Sequence, residues 1–127
     1  MPFENSLGLR VVRKHKDGVT IHFPLRSEFL NGNGVLHGGI TASIADEAAW
    51  HALVHAHAGH REMTTTELKV NYLRPIAGKK VIVRVYVLRA GKTLSVTRVD
   101  IFDVERRLSA IAVVTYMLLP RSEPRPR

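Results

Sequence analysis

Two hydrophobic periods divide this chain. Over residues 7–15 and 19–23 apolar positions recur on alternate residues. Between them lies Lys16-Asp17-Gly18, an Asp-Gly turn signal that reads as a hairpin. Pro24 closes the second strand, and residues 27–34 form a polar loop in which Gly32 and Gly34 supply backbone freedom. From about residue 39 to 56 there is no proline and alanine is abundant, which predicts a helix. Ile40, Ile44, Ala48 and His51 make one stripe of it. Thr41, Ala45, Ala49, Ala52 and Ala56 make a second, all small. Ala42, Asp46, Trp50 and Leu53 make a third. With small or apolar residues all round, such a helix is expected to be buried on most sides, its small stripe admitting another backbone closely. Ala58-Gly59-His60 ends it.

Beyond the helix the period returns to two. Residues 64–73, 80–89, 93–103 and 107–119 read as strands joined by short connections, which predicts an antiparallel meander. Residues 120–127, rich in proline and arginine, are expected to be a disordered tail, leaving 1–119 as one folded domain. The fold class is α+β: one long central helix wrapped by a curved antiparallel sheet. Exposed sheet edges and helix flanks argue for a dimer at least, with a dimer of dimers (a homotetramer) expected.

Composition removes several chemistries. The absence of cysteine excludes disulfides, thiolate nucleophiles and cysteine-ligated zinc. No apolar run approaches the length of a membrane helix, the first residues do not read as a signal peptide, and a cytoplasmic location is the default. A net charge of +8 suits an anionic partner. The basic residues are scattered without a nucleic-acid motif, so nucleic acid is not expected; a phosphorylated cofactor or substrate would also suit the charge, as would a surface that is simply basic. His51 and His55 stand four apart on the helix, near His57 and His60, but no zinc-protease acid accompanies them and no metal is expected. Ser43 lacks the Gly-x-Ser-x-Gly elbow of a serine hydrolase.

The candidate chemistry lies where the loop enters the helix. Backbone N–H groups at a helix N-terminus, reinforced by the helix dipole, suit developing negative charge. Asp46 follows on the same helix. Its neighbour Glu47 is turned about 100° away and ranks second. An anion site plus a carboxylate suggests acyl chemistry. Eight residues of helix separate Gly38 from Asp46, about 12 Å, whereas an attacking group must come within about 3–3.5 Å of its carbonyl. One helix therefore cannot easily supply both halves of a site. Two antiparallel helices across a two-fold axis can, each offering its Gly38 to the other's Asp46.

The pattern Asn31-x-x-Gly34-x-x-His37-Gly38-Gly39-x6-Asp46, followed by Thr64-Thr65-Thr66-Glu67-Leu68-Lys69-Val70-Asn71-Tyr72-Leu73-Arg74-Pro75 and Gly91-Lys92-Thr93-Leu94, resembles the hotdog-fold acyl-CoA thioesterases, in their PaaI-like and THEM-type branch. The resemblance spans about residues 5–119. It implies hydrolysis of an acyl-CoA, aromatic acyl groups included, to the free acid and CoA. No cofactor is implied, since coenzyme A is part of the substrate. Gly38 N–H would stabilise the oxyanion, with Asn31 and His37 shaping that region. Asp46 from the partner protomer would be general base or nucleophile, and Thr65 would position water or substrate. Gly39, Tyr72, Arg89, Ala90, Gly91, Lys92, Thr93 and Leu94 would contact substrate and coenzyme A, with Trp50 walling the acyl pocket. Two rivals remain: a non-catalytic acyl-CoA-binding module on the same fold, and a hydratase, for which no matching motif is found.

Overall fold

A computed structural model describes residues 7–58 and 62–120. Six strands form a single antiparallel sheet: β1 (Arg10–His15), β2 (Gly18–Pro24), β3 (Met63–Tyr72), β4 (Lys80–Ala90), β5 (Leu94–Phe102) and β6 (Leu108–Leu118). One long helix, α1 (Gly38–Ala56), packs on one face, and a single 3-10 turn (Ser27–Phe29) lies in the loop before it. This is the expected single helix on an antiparallel sheet.

The register explains why the alternation is legible. Val19, Ile21 and Phe23 pair with Val85, Val83 and Val81. Val83 and Val85 pair in turn with Ile101 and Val99, and these with Ala110 and Ala112. All are essentially inaccessible to solvent, so one continuous sheet face is apolar across four strands. Against it lie Ile44, Ala45, Ala48, Ala49, Ala52 and Leu53, every one fully buried. The small-residue stripe is thus the face turned to the sheet, and its lack of bulk lets the helix axis approach the valines. Ile44 and Leu53 supply the large side chains in this layer. Truncating either to alanine would cost about 2–5 kcal/mol. Ala58, at φ 47°, takes the left-handed conformation that stops the helix.

Two expectations need correcting. The strand order is β1-β2-β4-β5-β6-β3, so the meander holds only for β4, β5 and β6. β3 does not pair with β4. It lies against β6 at the sheet edge, and β2 occupies the place beside β4. The connection between β3 and β4 is not a tight hairpin. It crosses beside the start of α1, where Ile76 is buried and its carbonyl accepts a 2.7 Å hydrogen bond from Leu36 N–H. Alternation fixes which face a strand buries but not its neighbour, and β2 carries an inner face that only the shared core can cover. The second correction is at the start of the chain. The first strand begins at Arg10 rather than Leu7, because Gly8 at φ 80° breaks the extended run, and Leu7 is buried instead. The expected tail beyond Pro120, with Gly59 and His60, lies outside the described residues.

Candidate functional site

The loop before α1 is held by its own polar groups. Asn31 Oδ1 accepts hydrogen bonds from Asn33 N–H (2.9 Å) and Val35 N–H (3.2 Å), and its carbonyl accepts from Gly34 N–H. Gly34, at φ 74°, makes the turn possible. Asn31 therefore shapes the loop, with its carboxamide oxygen already engaged. Leu30 and Leu36 pair as an isolated bridge, and His37 N–H bonds to Phe29 O at 2.9 Å, which fixes where the helix begins.

His37 is the N-cap. Its Nδ1 accepts from Gly39 N–H at 3.0 Å, so the ring carries its proton on Nε2. That bond consumes the Gly39 donor. Gly38, the first helical residue, has no intrahelical acceptor for its own N–H. Tyr72 Oη donates to Gly38 O at 2.6 Å, tying the helix start to the end of β3. Gly38, Tyr72, Thr41 and Ile76 line a groove of about 410 Å³. Helix start, exposed glycine and groove thus coincide.

Two turns along α1, Asp46 meets the sheet. Thr65 Oγ1 donates to Asp46 Oδ1 at 2.7 Å, and Tyr116 Oη donates to the same oxygen at 2.8 Å. The Tyr116 hydroxyl also lies 2.9 Å from the Asp46 carbonyl oxygen, a three-centre arrangement. Thr65 and Tyr116 are cross-strand partners on β3 and β6, and the β3 register shifts immediately afterwards, between Thr65 and Glu67. A bulge of this kind re-aims side chains locally. It lets Thr65 face the helix while Glu67 and the rest of β3 resume the pleat. Burial, then the Asp46 charge, pushes the Tyr116 phenol well above its ordinary range, so the hydroxyl keeps its proton and acts as a donor. Oδ2 of Asp46 meets no donor among the described residues.

Tyr116 is the residue that sequence reasoning missed. Its signal was present: a phenol on the buried face of β6, between Val114 and Leu118, needs a polar partner. Trp50, one turn beyond Asp46, packs half-buried against the core and meets the His51 ring edge-on at 5.1 Å. Glu47 Oε2 is buried.

The remaining expected residues gather elsewhere. Arg89, Ala90, Gly91, Lys92, Thr93 and Leu94 line a second groove of about 750 Å³ at the β4–β5 hairpin. A register shift between Val87 and Arg89 gives the end of β4 its bulge. Gly91 is required there: a Cβ would stand 2.3 Å from Leu94 O. Tyr72 does not join this group, since it belongs to the groove at the helix start. Of the histidine cluster, His57, just past the end of α1, bonds through Nε2 to the buried Ser95 Oγ at 3.1 Å, and among the described residues no three histidines or carboxylates gather as a metal site.

A family model described as "Thioesterase superfamily" matches residues 33–110. The chain belongs to the thioesterase superfamily. It is 32% identical over 134 aligned positions to the Escherichia coli medium/long-chain acyl-CoA thioesterase YigI, covering 93% of this chain and 86% of that one. To human acyl-coenzyme A thioesterase 13 it is 31% identical over 101 positions, covering 78% and 71%. Among solved structures, a mutant of the phenylacetic acid degradation protein PaaI from Thermus thermophilus superposes with a TM-score of 0.80 at 23% identity, covering 94% of this chain and all of that one (100%). At that identity the likeness concerns the fold, which is the hotdog arrangement.

Proposed function

We propose that this chain is an acyl-CoA thioesterase whose active site is shared between two protomers. The observation that carries the reading is the separation, on one helix, of an N-terminal N–H at Gly38 that has no acceptor within the helix from a carboxylate at Asp46 whose Oδ1 is held by two hydroxyls. The names of YigI and acyl-coenzyme A thioesterase 13 support the substrate class.

In this reading the thioester carbonyl oxygen sits against Gly38 N–H, where the helix dipole adds to the hydrogen bond. Asp46 of the partner subunit removes a proton from water through Oδ2 as the water oxygen attacks the carbonyl carbon. The tetrahedral oxyanion collapses, the carbon–sulfur bond breaks and CoA leaves as the thiolate. Among the described residues, β3 is the last strand at one side of the sheet, with one of its edges unpaired. Pairing of that edge with its two-fold copy would bring the two α1 helices side by side, as the shared site requires. Arg89 and Lys92 at the hairpin groove face the phosphates of coenzyme A, giving the net charge of +8 a use. Trp50 contributes to the acyl pocket.

The test is release of free CoA across a panel of short, medium, long and aromatic acyl-CoAs. Hydrolysis is expected for at least one class, and Asp46→Asn should lower kcat by at least about a hundredfold. Asn keeps an oxygen for Thr65 and Tyr116, so folding should survive. Tight binding of acyl-CoA with no CoA release by the wild-type protein would mark a binding module instead.

A further inference from the structure

We propose that Tyr116 is a positioning residue for the hydrolysis: together with Thr65 it pins Oδ1 of Asp46, so that Oδ2 alone is presented to water. The inference rests on Asp46 acting as the base.

A carboxylate on a helix rotates readily about χ2, where the two oxygens exchange over a broad, two-fold torsional profile. Here rotation would break two hydrogen bonds at once, because donors from two different strands converge on one oxygen at 2.7 and 2.8 Å. Neither donor can move far. Tyr116 is 4% exposed and sits near the end of β6, paired between β5 and β3, opposite Ser95 on one side and Thr65 on the other. Its hydroxyl is also held by the main-chain oxygen of Asp46, so the ring oxygen is fixed to the residue it orients. The phenol stays protonated and therefore always donates. A phenylalanine would fill the same space and seal the same core. The hydroxyl adds its contacts with Asp46 and with the neighbouring Thr65 hydroxyl, and a buried donor costs free energy unless it is used.

A purely structural role would make the bond to the Asp46 carbonyl a tie between helix and sheet, nothing more. Steady-state kinetics over pH separates the two. In the full-length protein, Tyr116→Phe should lower kcat by about tenfold or more, the scale of one hydrogen bond to a charged group. KM should stay within about twofold, a split that marks lost transition-state rather than ground-state binding. The acidic limb of kcat/KM should move to higher pH, since the charged carboxylate loses a donor. Thr65→Val should act in the same direction, and Tyr116→Phe added to Asp46→Asn should cost nothing further. If Tyr116→Phe unfolds, 3-fluorotyrosine at position 116 keeps ring and hydroxyl but donates more strongly, and should move the acidic limb down. A folded Tyr116→Phe enzyme with wild-type kcat and pH profile beside an inactive Asp46→Asn overturns the proposal and leaves the base reading standing. An unmoved limb with fluorotyrosine does the same. Full activity in Asp46→Asn overturns both.

Discussion

The Gly38 N–H can be deleted without disturbing the fold, by Gly38→Pro. Three features of the structure make this unusual. Gly38 is the first residue of α1, the position where proline is most welcome in a helix. His37 has φ −62° and ψ 133°, the extended conformation that a following proline demands. The nearest atom to a Cβ at position 38 is Tyr72 Oη at 3.5 Å, an ordinary contact. No helical hydrogen bond is lost, because the first N–H has no acceptor within the helix. Replacing glycine by proline at a compatible site also narrows the unfolded ensemble, which should stabilise by about 0.4–1 kcal/mol and raise the melting temperature by a few degrees. Activity should go the other way. Loss of one oxyanion donor costs about 10²–10³ in kcat, or about 2.7–4 kcal/mol of transition-state stabilisation. Gly38→Ala is the control, since it adds the carbon but keeps the N–H, and should stay within about tenfold of wild type. The assay is CoA release followed with a thiol-reactive chromogen, alongside a thermal melt. A Gly38→Pro enzyme that melts at or above the wild-type temperature yet retains kcat within about threefold would refute the oxyanion assignment.

Two further outcomes are expected. Mixing Gly38→Pro with Asp46→Asn under subunit exchange should recover about one quarter of wild-type activity: half of the dimers are mixed, and each has one intact site of two. Absence of rescue, with exchange verified, would place both halves of the site in one protomer. Asp103 closes the β5–β6 turn by accepting from the Arg107 and Glu105 N–H groups, both at 2.9 Å, and from Arg107 Nε at 2.8 Å. The Arg107 main-chain N–H above all, then its guanidinium, holds the carboxyl below its ordinary 3.8. A depressed folded value means that the stability contributed is present above 3.8 and lost as pH falls through the folded value. The melting-temperature gap between wild type and Asp103→Asn should therefore be widest near neutrality and close in strong acid. A gap constant from neutral to strongly acid pH would contradict that account.

The sequence by itself determined the elements and their inner faces, because alternation and alanine content report local geometry and burial directly. It also determined the spacing from which the shared site is proposed, since eight residues at helical rise span about 12 Å whatever surrounds them. It placed Asn31, His37 and Gly38 at the helix start, while Thr65 entered through the family resemblance as a residue that positions water or substrate, and its bond to Asp46 came with the structure. Three things were left to the tertiary structure. The place of β3 at the edge depends on competition between strands for one neighbour, and alternation is indifferent to that choice. Tyr72 reached the Gly38 carbonyl rather than the hairpin groove, because β3 runs its end toward the helix start. Tyr116 stands 70 residues from Asp46 and becomes its partner only when β6 is laid beside β3 and the bulge turns Thr65 inward. Local patterns carry the period of the chain and the chemistry of its motifs. Which distant hydroxyl satisfies a given carboxylate is decided by strand order and register, and these exist only once the sheet has closed over the helix.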